Sequence, residues 1–352
     1  MRSLFDTNRL GALTLRNRIV MAPMTRNRAH ENGDPNELMV EYYTQRASMG
    51  LIITEGTAPE HVGKAYPGIP GIYTDSQSLG WRKITDSVHA HGGRIFLQLM
   101  HSGRISHKKI TGLNPISASA VKPAGEIFTG AGQDSFETPH QMSHFDLEKT
   151  RLAFVSAAQR AVNAGFDGVE IHGANGYLLH QFLSTNSNLR TDEYGRSPEN
   201  RSRYIIEIID SLLQTIGSNR VGIRLSPNGK FNDINESDVA ETYGYLMNVL
   251  SSRELAYLHV AQQSGFEGIA FARNNFRGTL IANTGYGDTN KIETAKRIIE
   301  EGQADLFSFG RLALANPDLP KRLAEEAKFN PADSKSFYSR GATGYTDYSA
   351  LS

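Results

Sequence analysis

The sequence predicts an α/β protein built as a closed (β/α)8 barrel, the TIM-barrel class. Apolar, strand-like runs alternate eight times with helical or degraded helical segments along the 352 residues. Several of these runs are continuously apolar, which is typical of strands buried on both faces of a parallel sheet. An open doubly wound sheet is the alternative, but it should carry a G-x-G-x-x-G turn after its first strand, and none stands there. The pattern therefore favours the barrel.

The eight units can be followed in order along the chain. The predicted strands are 18–21, 51–54, 94–99, 166–171, 220–225, 256–261, 279–283 and 305–309. The predicted helices are 37–47, 76–91, 146–164, 199–216, 237–250, 291–301 and 319–328. The sixth unit is the weakest, because 265–277 shows little helical periodicity. The absence of internal repeats and of low-complexity linkers indicates one domain over 1–352.

Two segments stand outside the repeating pattern. Residues 7–16 are predicted to form a small hairpin that closes the bottom of the barrel. Residues 101–145, rich in Gly, Pro and Ser, form an irregular insertion after the third strand. Insertions of this length in compact domains are often functional, so we expect this segment to be a lid over the site.

Charge and composition narrow the classes of partner. Lys plus Arg and Asp plus Glu both number 37, so the formal net charge is +0, and no basic field is expected to hold nucleic acid or anionic lipid. No apolar run reaches the roughly 18 residues of a membrane span. The chain has no cysteine, which excludes disulfides and Cys-based metal sites and favours the cytoplasm. We expect a small-molecule substrate, no nucleic-acid or membrane partner, and a monomer or homodimer.

Polar and glycine residues recur where the predicted strands end. Active sites of this fold lie at the carboxyl ends of the strands. The residues found there are Thr25, Gly56, Gln98, His172, Asn175, Arg224, Gly285, Gly310 and Arg311. Most of them are able to bind a planar heterocycle or a phosphate, which predicts such a ligand at this end of the barrel. The histidines at 89, 91 and 180 have no accompanying carboxylate pattern, so no metal site is predicted.

The turn after the fourth strand carries the chemically richest group. His172, Asn175 and Tyr177 lie on a turn that Gly173 and Gly176 allow to be tight. Two hydrogen-bond donors and a phenol in one small volume are able to polarise a carbonyl or nitro oxygen and deliver a proton nearby. The alternative is a strand-end turn whose polar groups only cap the following helix.

Several ordered motifs support a family resemblance over nearly the whole chain. They are NRIVMAPMTR (17–26), QLMHSGR (98–104), HGANGY (172–177), NSNLRTDEYGRSPENRSR (186–203), GIRLS (222–226), FGRLALANPD (309–318) and GYTDY (344–348). With these motifs the sequence resembles the Old Yellow Enzyme family of flavin-dependent ene-reductases. The resemblance implies FMN bound non-covalently at the barrel mouth.

The resemblance assigns the residues of the flavin site. Gln98 would bind the pyrimidine edge, and Arg224 would lie beside N1 and O2, where reduction builds negative charge. Thr25 would donate to flavin O4. The remaining positions serve backbone and phosphate contacts: Pro23, Met24 and Gly56 for the ring, and Gly285, Gly310 and Arg311 for the phosphate.

The resemblance also implies a reaction. NADPH would reduce FMN, and the flavin would pass hydride to the β-carbon of an electron-poor alkene (enone, enal, maleimide or nitroalkene). His172 and Asn175 would hold the substrate oxygen and Tyr177 would protonate the α-carbon, while Tyr66, Met100 and Tyr338 would line the pocket. Met100 replaces a Trp that is common in the family, which predicts a wider pocket.

Other functions stay open at this point. A flavin-dependent isomerase without net reduction is one, although retention of the proton donor Tyr177 favours reduction. A flavin-free phosphosugar enzyme on the same fold would leave Gln98 and Thr25 unexplained. A non-catalytic binding protein would leave the whole donor set unexplained.

Overall fold

The computed structural model describes residues 2–285 and 291–351. In chain order its strands are β1 (Asn8–Leu10), β2 (Leu13–Leu15), β3 (Ile19–Met21), β4 (Leu51–Ile53), β5 (Ile95–Leu99), β6 (Ile116–Ser117), β7 (Glu126–Phe128), β8 (Gln133–Ser135), β9 (His140–Gln141), β10 (Gly168–Gly173), β11 (Val221–Leu225), β12 (Tyr257–Ala261), β13 (Leu280–Asn283) and β14 (Leu306–Phe309).

The helices, again in chain order, mostly alternate with the long strands. They are α1 (Glu37–Thr44), α2 (Asp75–Ala90), α3 (Lys108–Thr111), α4 (His144–Asn163), α5 (Leu178–Leu183), α6 (Pro198–Ile216), α7 (Val239–Ser251), α8 (Gly268–Asn275), α9 (Lys291–Glu300), α10 (Arg311–Ala315) and α11 (Leu319–Ala324). Within the described ranges, none of them is both long enough and apolar enough to span a membrane.

Eight parallel strands form the closed barrel that the sequence predicts. β3, β4, β5 and β10 to β14 are hydrogen-bonded in a ring. β14 closes it against β3, with Phe307 opposite Ile19, and β5 pairs with β10 across the long insertion. The fold-class prediction is therefore confirmed, and the open sheet is wrong.

Side-chain alternation divides the barrel into an inner and an outer layer. Successive residues of a strand point to opposite faces. Val20, Phe96 and Tyr257 pack into one inner apolar cluster, whereas Ile19 and Ile95 belong to the larger cluster formed with the surrounding helices. The inward layer near the start of the strands is thus apolar, and the next inward positions lie nearer the carboxyl ends.

The predicted N-terminal hairpin is present and has a clear packing role. β1 and β2 pair antiparallel, with Leu10 opposite Leu13. Leu10 and Leu15 are fully buried and join the inner cluster that contains Phe96 and Tyr257. The hairpin therefore covers the end of the barrel opposite the carboxyl ends of the strands.

In the sixth unit, the weakest in the sequence, the structure contains a helix that the periodicity does not reveal. A regular helix, α8, runs from Gly268 to Asn275 where little helical periodicity was found. Ile269 and Ala272 bury its inner face, and α8 packs against β12 and β13. Eight residues with so few buried positions are too short to give a visible period, so packing decides this helix. The short helices α3, α5 and α10 were also not predicted, and α11 ends at Ala324 rather than at 328.

The insertion at 101–145 has more structure than its composition indicates. It contains α3, a parallel β6–β9 ladder and an antiparallel β7–β8 hairpin. The hairpin is tied to the rest of the insertion by an ion pair between Lys109 and Asp134 at 2.5 Å. Thr129 also donates to Asp134 at 2.6 Å. We keep the name lid for residues 101–145.

Candidate active site

A cavity of about 1230 Å³ opens at the carboxyl ends of the barrel strands. The structure brings almost all predicted site residues to its wall: Pro23, Met24, Thr25, Tyr66, Gln98, Met100, His172, Asn175, Tyr177, Arg224, Gly285, Gly310, Arg311 and Tyr338. These residues come from segments that are far apart in the sequence. Their convergence is what a ligand site at this end of the fold requires.

Gly56 is the exception among the predicted residues. It is not among the described residues that line the cavity, but lies behind Met100. A Cβ added at Gly56 would stand 2.5 Å from Met100 Sδ and 2.8 Å from Met100 Cε. The glycine therefore makes room for the Met100 side chain, which is only 1% exposed. A backbone contact from Gly56 to a cofactor stays a prediction, as does the wider pocket at Met100.

The turn at 172–177 is fixed by its backbone and by three anchors. Asn175 has φ +54° and Gly176 has φ +76°, both in the left-handed region, which Asn and Gly tolerate best. The Asn175 N–H donates to Ser226 Oγ at 3.0 Å, and the Gly176 N–H donates to His180 Nδ1 at 3.0 Å. Asn232 Nδ2 donates to the Asn175 carbonyl at 2.8 Å. The turn is thereby held in one conformation.

His172 is a buried imidazole on the cavity wall. It is 4% exposed, and burial lowers the pKa of His172 well below its usual range, with the nearby Arg224 cation acting in the same direction. His172 is therefore neutral at neutral pH. Its Nδ1 is buried and has no hydrogen-bond partner among the described residues. A neutral imidazole suits the role of hydrogen-bond donor to an uncharged oxygen.

Tyr177 and Tyr66 form a phenol pair beside His172. Their hydroxyl oxygens are 3.4 Å apart, and the Tyr177 ring centroid lies 5.1 Å from that of His172. Burial raises the pKa of Tyr66, against the opposing effect of its hydrogen bond with Tyr177. Tyr177 precedes α5 as its N-cap residue, and its hydroxyl is directed to Tyr66 rather than to the helix backbone. This weakens the alternative of a purely capping role.

Gln98 and Arg224 lie on inward-facing positions of their strands. Gln98, on β5, is 2% exposed, and its Nε2 donates to Glu170 Oε1 at 2.7 Å. Arg224, on β11, stands opposite His172 in the β10–β11 ladder. An amide and a permanent cation on one wall fit the polar edge of a flavin ring, where acceptor and donor groups alternate.

Gly285, Gly310 and Arg311 follow the last two barrel strands and also line the cavity. Gly285 has φ +67°, and a Cβ there would stand 2.6 Å from the Gln262 carbonyl oxygen. A Cβ at Gly310 would lie 3.2 Å from Met24 Sδ. The Arg311 guanidinium lies 5.7 Å from the centroid of the Phe337 ring. Close main-chain approach with an arginine alongside fits a phosphate group.

Sequence reasoning missed several residues near the cavity, among them one group in the lid and one group of buried polar side chains. The lid contributes Ile127, Phe128, Gln133 and Phe136 to its wall, and no sequence signal marks them because the segment lacks periodicity. Beneath the cavity lie Glu170 and His259, both fully buried. These two could have been found, because each is a charged or titratable residue inside an otherwise apolar strand.

One cluster with metal-ligand geometry occurs elsewhere in the described part of the chain. His144, Asp192 and Glu193 bring their ligand atoms within 4.8 Å of one another. Both Asp192 oxygens already accept hydrogen bonds from the Arg190 guanidinium, at 3.0 and 2.6 Å. Both carboxylate oxygens of Asp192 are therefore already engaged within this loop.

Known proteins resemble the chain over almost its full length. Residues 3–330 match the NADH:flavin oxidoreductase / NADH oxidase family. A probable flavin mononucleotide-dependent alkene reductase of Leishmania infantum is 41% identical, with 96% of this chain and 95% of the relative covered. The 12-oxophytodienoate reductase 1 of Oryza sativa subsp. japonica is 39% identical, with 97% and 92% covered.

Solved structures agree with this match. The Old Yellow Enzyme homologue of Zymomonas mobilis superimposes with a TM-score of 0.96 at 37% identity, covering 99% of this chain and 100% of its own. Morphinone reductase in complex with tetrahydroNAD gives a TM-score of 0.94 at 40% identity, covering 99% and 98%. With the cavity and its donor set in place, these similarities assign the chain to the NADH:flavin oxidoreductase / NADH oxidase family, the family of Old Yellow Enzyme.

Proposed function

We propose that this flavin oxidoreductase is an ene-reductase: when bound, FMN takes hydride from NADPH and delivers it to the β-carbon of an enone, enal, maleimide or nitroalkene. The observation that carries the proposal is the convergence of His172, Asn175 and Tyr177 with Gln98 and Arg224 on one cavity. The first three suit an alkene activated by an oxygen. The other two suit the polar edge of a flavin.

The residues that would hold FMN divide by chemistry. Gln98, Arg224 and Thr25 would bind the polar edge of the ring through side-chain donors and acceptors. Pro23, Met24 and Gly56 would supply main-chain contacts to the ring. Gly285, Gly310 and Arg311 would hold the phosphate, where the two glycines leave space for it and the arginine adds charge.

The substrate side follows from the turn at 172–177. His172 and Asn175 would donate hydrogen bonds to the substrate oxygen, and a neutral His172 does so without adding a charge to the pocket. Tyr177 would donate a proton to the α-carbon, with the Tyr66 hydroxyl 3.4 Å behind it. Tyr66, Met100 and Tyr338 would form the pocket wall around the alkene.

The alternatives have less support. The flavin-free phosphosugar enzyme conflicts with membership of a flavin oxidoreductase family, and a binding protein leaves the donor set unused. The phenol at Tyr177, as a proton donor, favours net reduction over isomerisation. The use of NADPH, a cytoplasmic location, a single domain and a monomeric or homodimeric state stay predictions from the sequence and its resemblance.

Tyr177→Phe tests the mechanism because it separates two half-reactions. Under anaerobic stopped flow, NADPH should bleach the yellow variant within about threefold of the wild-type rate, since that step needs no proton from Tyr177. Reoxidation by cyclohexenone should slow by about 100-fold, the usual effect of losing a general acid.

Parallel runs with NADH would compare the two nicotinamide donors. A nitroalkene serves as the matched substrate, because its nitronate product is stable enough to await a proton from water, so its slowing should be smaller. If Tyr177→Phe slows flavin bleaching as much as enone reduction, Tyr177 is not the proton donor. A wild-type protein that takes up no FMN would overturn the proposal as a whole.

A further inference from the structure

The upper half of the barrel interior contains a row of buried polar side chains that the proposed reaction does not use. They are Glu170, His259, Asn283 and Ser308, each fully or almost fully buried. Three of them stand two residues after members of the inner apolar cluster: His259 after Tyr257, Asn283 after Ile281 and Ser308 after Leu306. By the alternation of strand side chains, they occupy an inward layer at the floor of the cavity, which Asn283 itself lines.

These side chains form a continuous chain of hydrogen bonds that begins at Gln98. Gln98 Nε2 donates to Glu170 Oε1 at 2.7 Å, and Glu170 Oε2 lies 2.8 Å from His259 Nδ1. His259 Nε2 lies 2.8 Å from Ser308 Oγ. Asn283 Nδ2 donates to that same Oγ at 2.9 Å, and Asn283 Oδ1 accepts from the Gly285 N–H at 3.0 Å. The chain thus connects Gln98 on the cavity wall with Gly285, one of the residues proposed to hold the phosphate.

The direction of each hydrogen bond follows from the chemistry of the groups. Burial lowers the pKa of His259, with Glu170 acting against this and Arg224 adding to it, so the imidazole is neutral and has one N–H. A carboxylate only accepts, so His259 donates from Nδ1 to Glu170 and accepts at Nε2 from the Ser308 hydroxyl. Glu170 is therefore the acceptor on which donors from both sides converge.

The same reasoning fixes the Gln98 amide. Its nitrogen has to face the Glu170 carboxylate, because the opposite orientation would set the amide oxygen against an acceptor. Gln98 also lines the cavity, which leaves Oε1 as the amide atom on the cavity side. The wall accordingly presents a hydrogen-bond acceptor at this point.

We propose that Glu170 is a positioning residue, held in place by His259 and Ser308, that fixes the Gln98 side chain with its amide oxygen toward the cavity. In this orientation Gln98 selects a heterocycle edge that presents an N–H between two carbonyls. The isoalloxazine of FMN has such an edge at N3–H, between O2 and O4. This inference rests on the proposed function, in which the heterocycle is FMN. Glu170 acts through Gln98 and does not itself contact the cofactor.

A double-mutant cycle tests whether Glu170 acts through Gln98. FMN dissociation constants are measured by flavin fluorescence on apoprotein of wild type, Glu170→Gln, Gln98→Ala and the double variant. Glu170→Gln should weaken FMN binding about tenfold, as expected for loss of a charge-assisted hydrogen bond. In the Gln98→Ala background the same change should matter less than about twofold, because coupled residues are not additive.

The control is a half-buried acid just before the start of the same strand. Asp167, directly before β10, accepts from the Ile95 N–H at 2.8 Å and pairs with His89 at 2.9 Å. Asp167→Asn removes a charge of the same kind without touching Gln98, so FMN affinity should stay within about twofold.

Ser308→Ala provides a milder second variant should Glu170→Gln fold poorly. It should weaken FMN binding in the wild-type background and have no effect with Gln98→Ala.

The binding affinity of an N3-methylated FMN tests the orientation of the Gln98 amide. This FMN lacks the N3 proton, so wild type should strongly prefer FMN over it, and Glu170→Gln should lose at least about fivefold of that preference because its Gln98 amide is free to rotate. Additive effects in the cycle, or an unchanged preference in Glu170→Gln, would overturn the inference while leaving FMN binding intact. A wild-type protein that binds no FMN would instead overturn the proposed function, and this inference with it.

Discussion

At the scale of single residues, the shape of the cavity wall depends on a glycine that lacks a side chain as well as on the side chains present. Gly56 stands where any side chain would collide with Met100. Met100 in turn belongs to an apolar cluster with Tyr177, Ile127 and Phe136. A glycine chosen from the sequence for contact with a cofactor therefore also has a packing reason in the structure.

This packing makes Gly56→Ala a specific prediction. The new methyl group would require Met100 to move, and overpacking of this kind costs about 1–3 kcal/mol. In Gly56→Ala/Met100→Ala the clash is gone, so the two substitutions should couple favourably by at least about 1 kcal/mol. Urea unfolding of both single variants and the double variant gives this value. Additive losses of stability would show that Gly56 and Met100 do not constrain each other.

At the scale of elements, the β7–β8 hairpin of the lid supplies part of the cavity wall from outside the barrel. Ile127 and Phe136, 3% and 6% exposed, pack on the same cluster as Met100 and Tyr177. The polar anchors of the hairpin are exposed ion pairs, such as Lys109 with Asp134, and pairs of this kind contribute little to stability. Apolar contact is thus the main force that holds the hairpin over the site.

Phe136→Ala should therefore loosen the lid and weaken substrate binding. A buried Phe contributes about 1.5–3 kcal/mol, so the KM for an enone should rise about tenfold or more. Flavin bleaching by NADPH should change less than about threefold, because the catalytic groups stay in place. Leu113→Ala, at a 49% exposed lid residue, is the matched control. Equal rises in KM for both variants would argue against a specific role of Phe136.

At the scale of the whole molecule, the chain buries two histidines in the barrel interior as neutral groups. Burial lowers the pKa of both His172 and His259, and the Arg224 cation acts in the same direction on each. In the unfolded chain these histidines would regain an ordinary pKa of about 6.5. Below that pH the unfolded state binds protons that the folded state does not, so acid should shift the equilibrium toward unfolding.

The free energy of unfolding should thus fall as the pH is lowered from about 6.5 to 5, by up to about 1.4 kcal/mol per pH unit for each such histidine. His172→Asn should remove one of these contributions and make the free energy of unfolding less dependent on pH. His30→Asn, at an exposed histidine, is the control and should leave it unchanged. Urea unfolding at several pH values measures the slope. An equally steep dependence of the free energy of unfolding on pH in His172→Asn would contradict the lowered pKa of His172 in the folded protein.

The C-terminal segment of the chain also contributes to the site. Arg26, after the first barrel strand, donates to the carbonyl oxygens of Phe337 and Gly344 at 3.1 and 2.7 Å. Arg28 donates to the Ser336 and Phe337 carbonyls at 3.0 and 2.9 Å. These contacts place the C-terminal segment at the cavity mouth, where Tyr338, 62% exposed, lines the opening. The family resemblance predicted this location for Tyr338, and no local pattern did.

The sequence by itself determined the barrel and the location of its site. Continuously apolar runs mark strands buried on both faces, and in a closed parallel barrel all strand ends meet at one rim, so residues after successive strands had to converge. Local spacing was sufficient because strand direction and alternation are properties of the backbone. Thr25, Gln98, His172 and Arg224 reached the cavity for this reason.

Only the tertiary structure decided the features that depend on contacts between distant residues. Helix α8, the lid hairpin and the space that Gly56 leaves for Met100 each depend on packing against other segments. Gln98 and Glu170 are 72 positions apart, and Glu170 and His259 are 89 apart. A single sequence shows a charged residue in an apolar strand but does not show its hydrogen-bond partner. Burial makes such a partner necessary, but which residue becomes the partner depends on the tertiary fold.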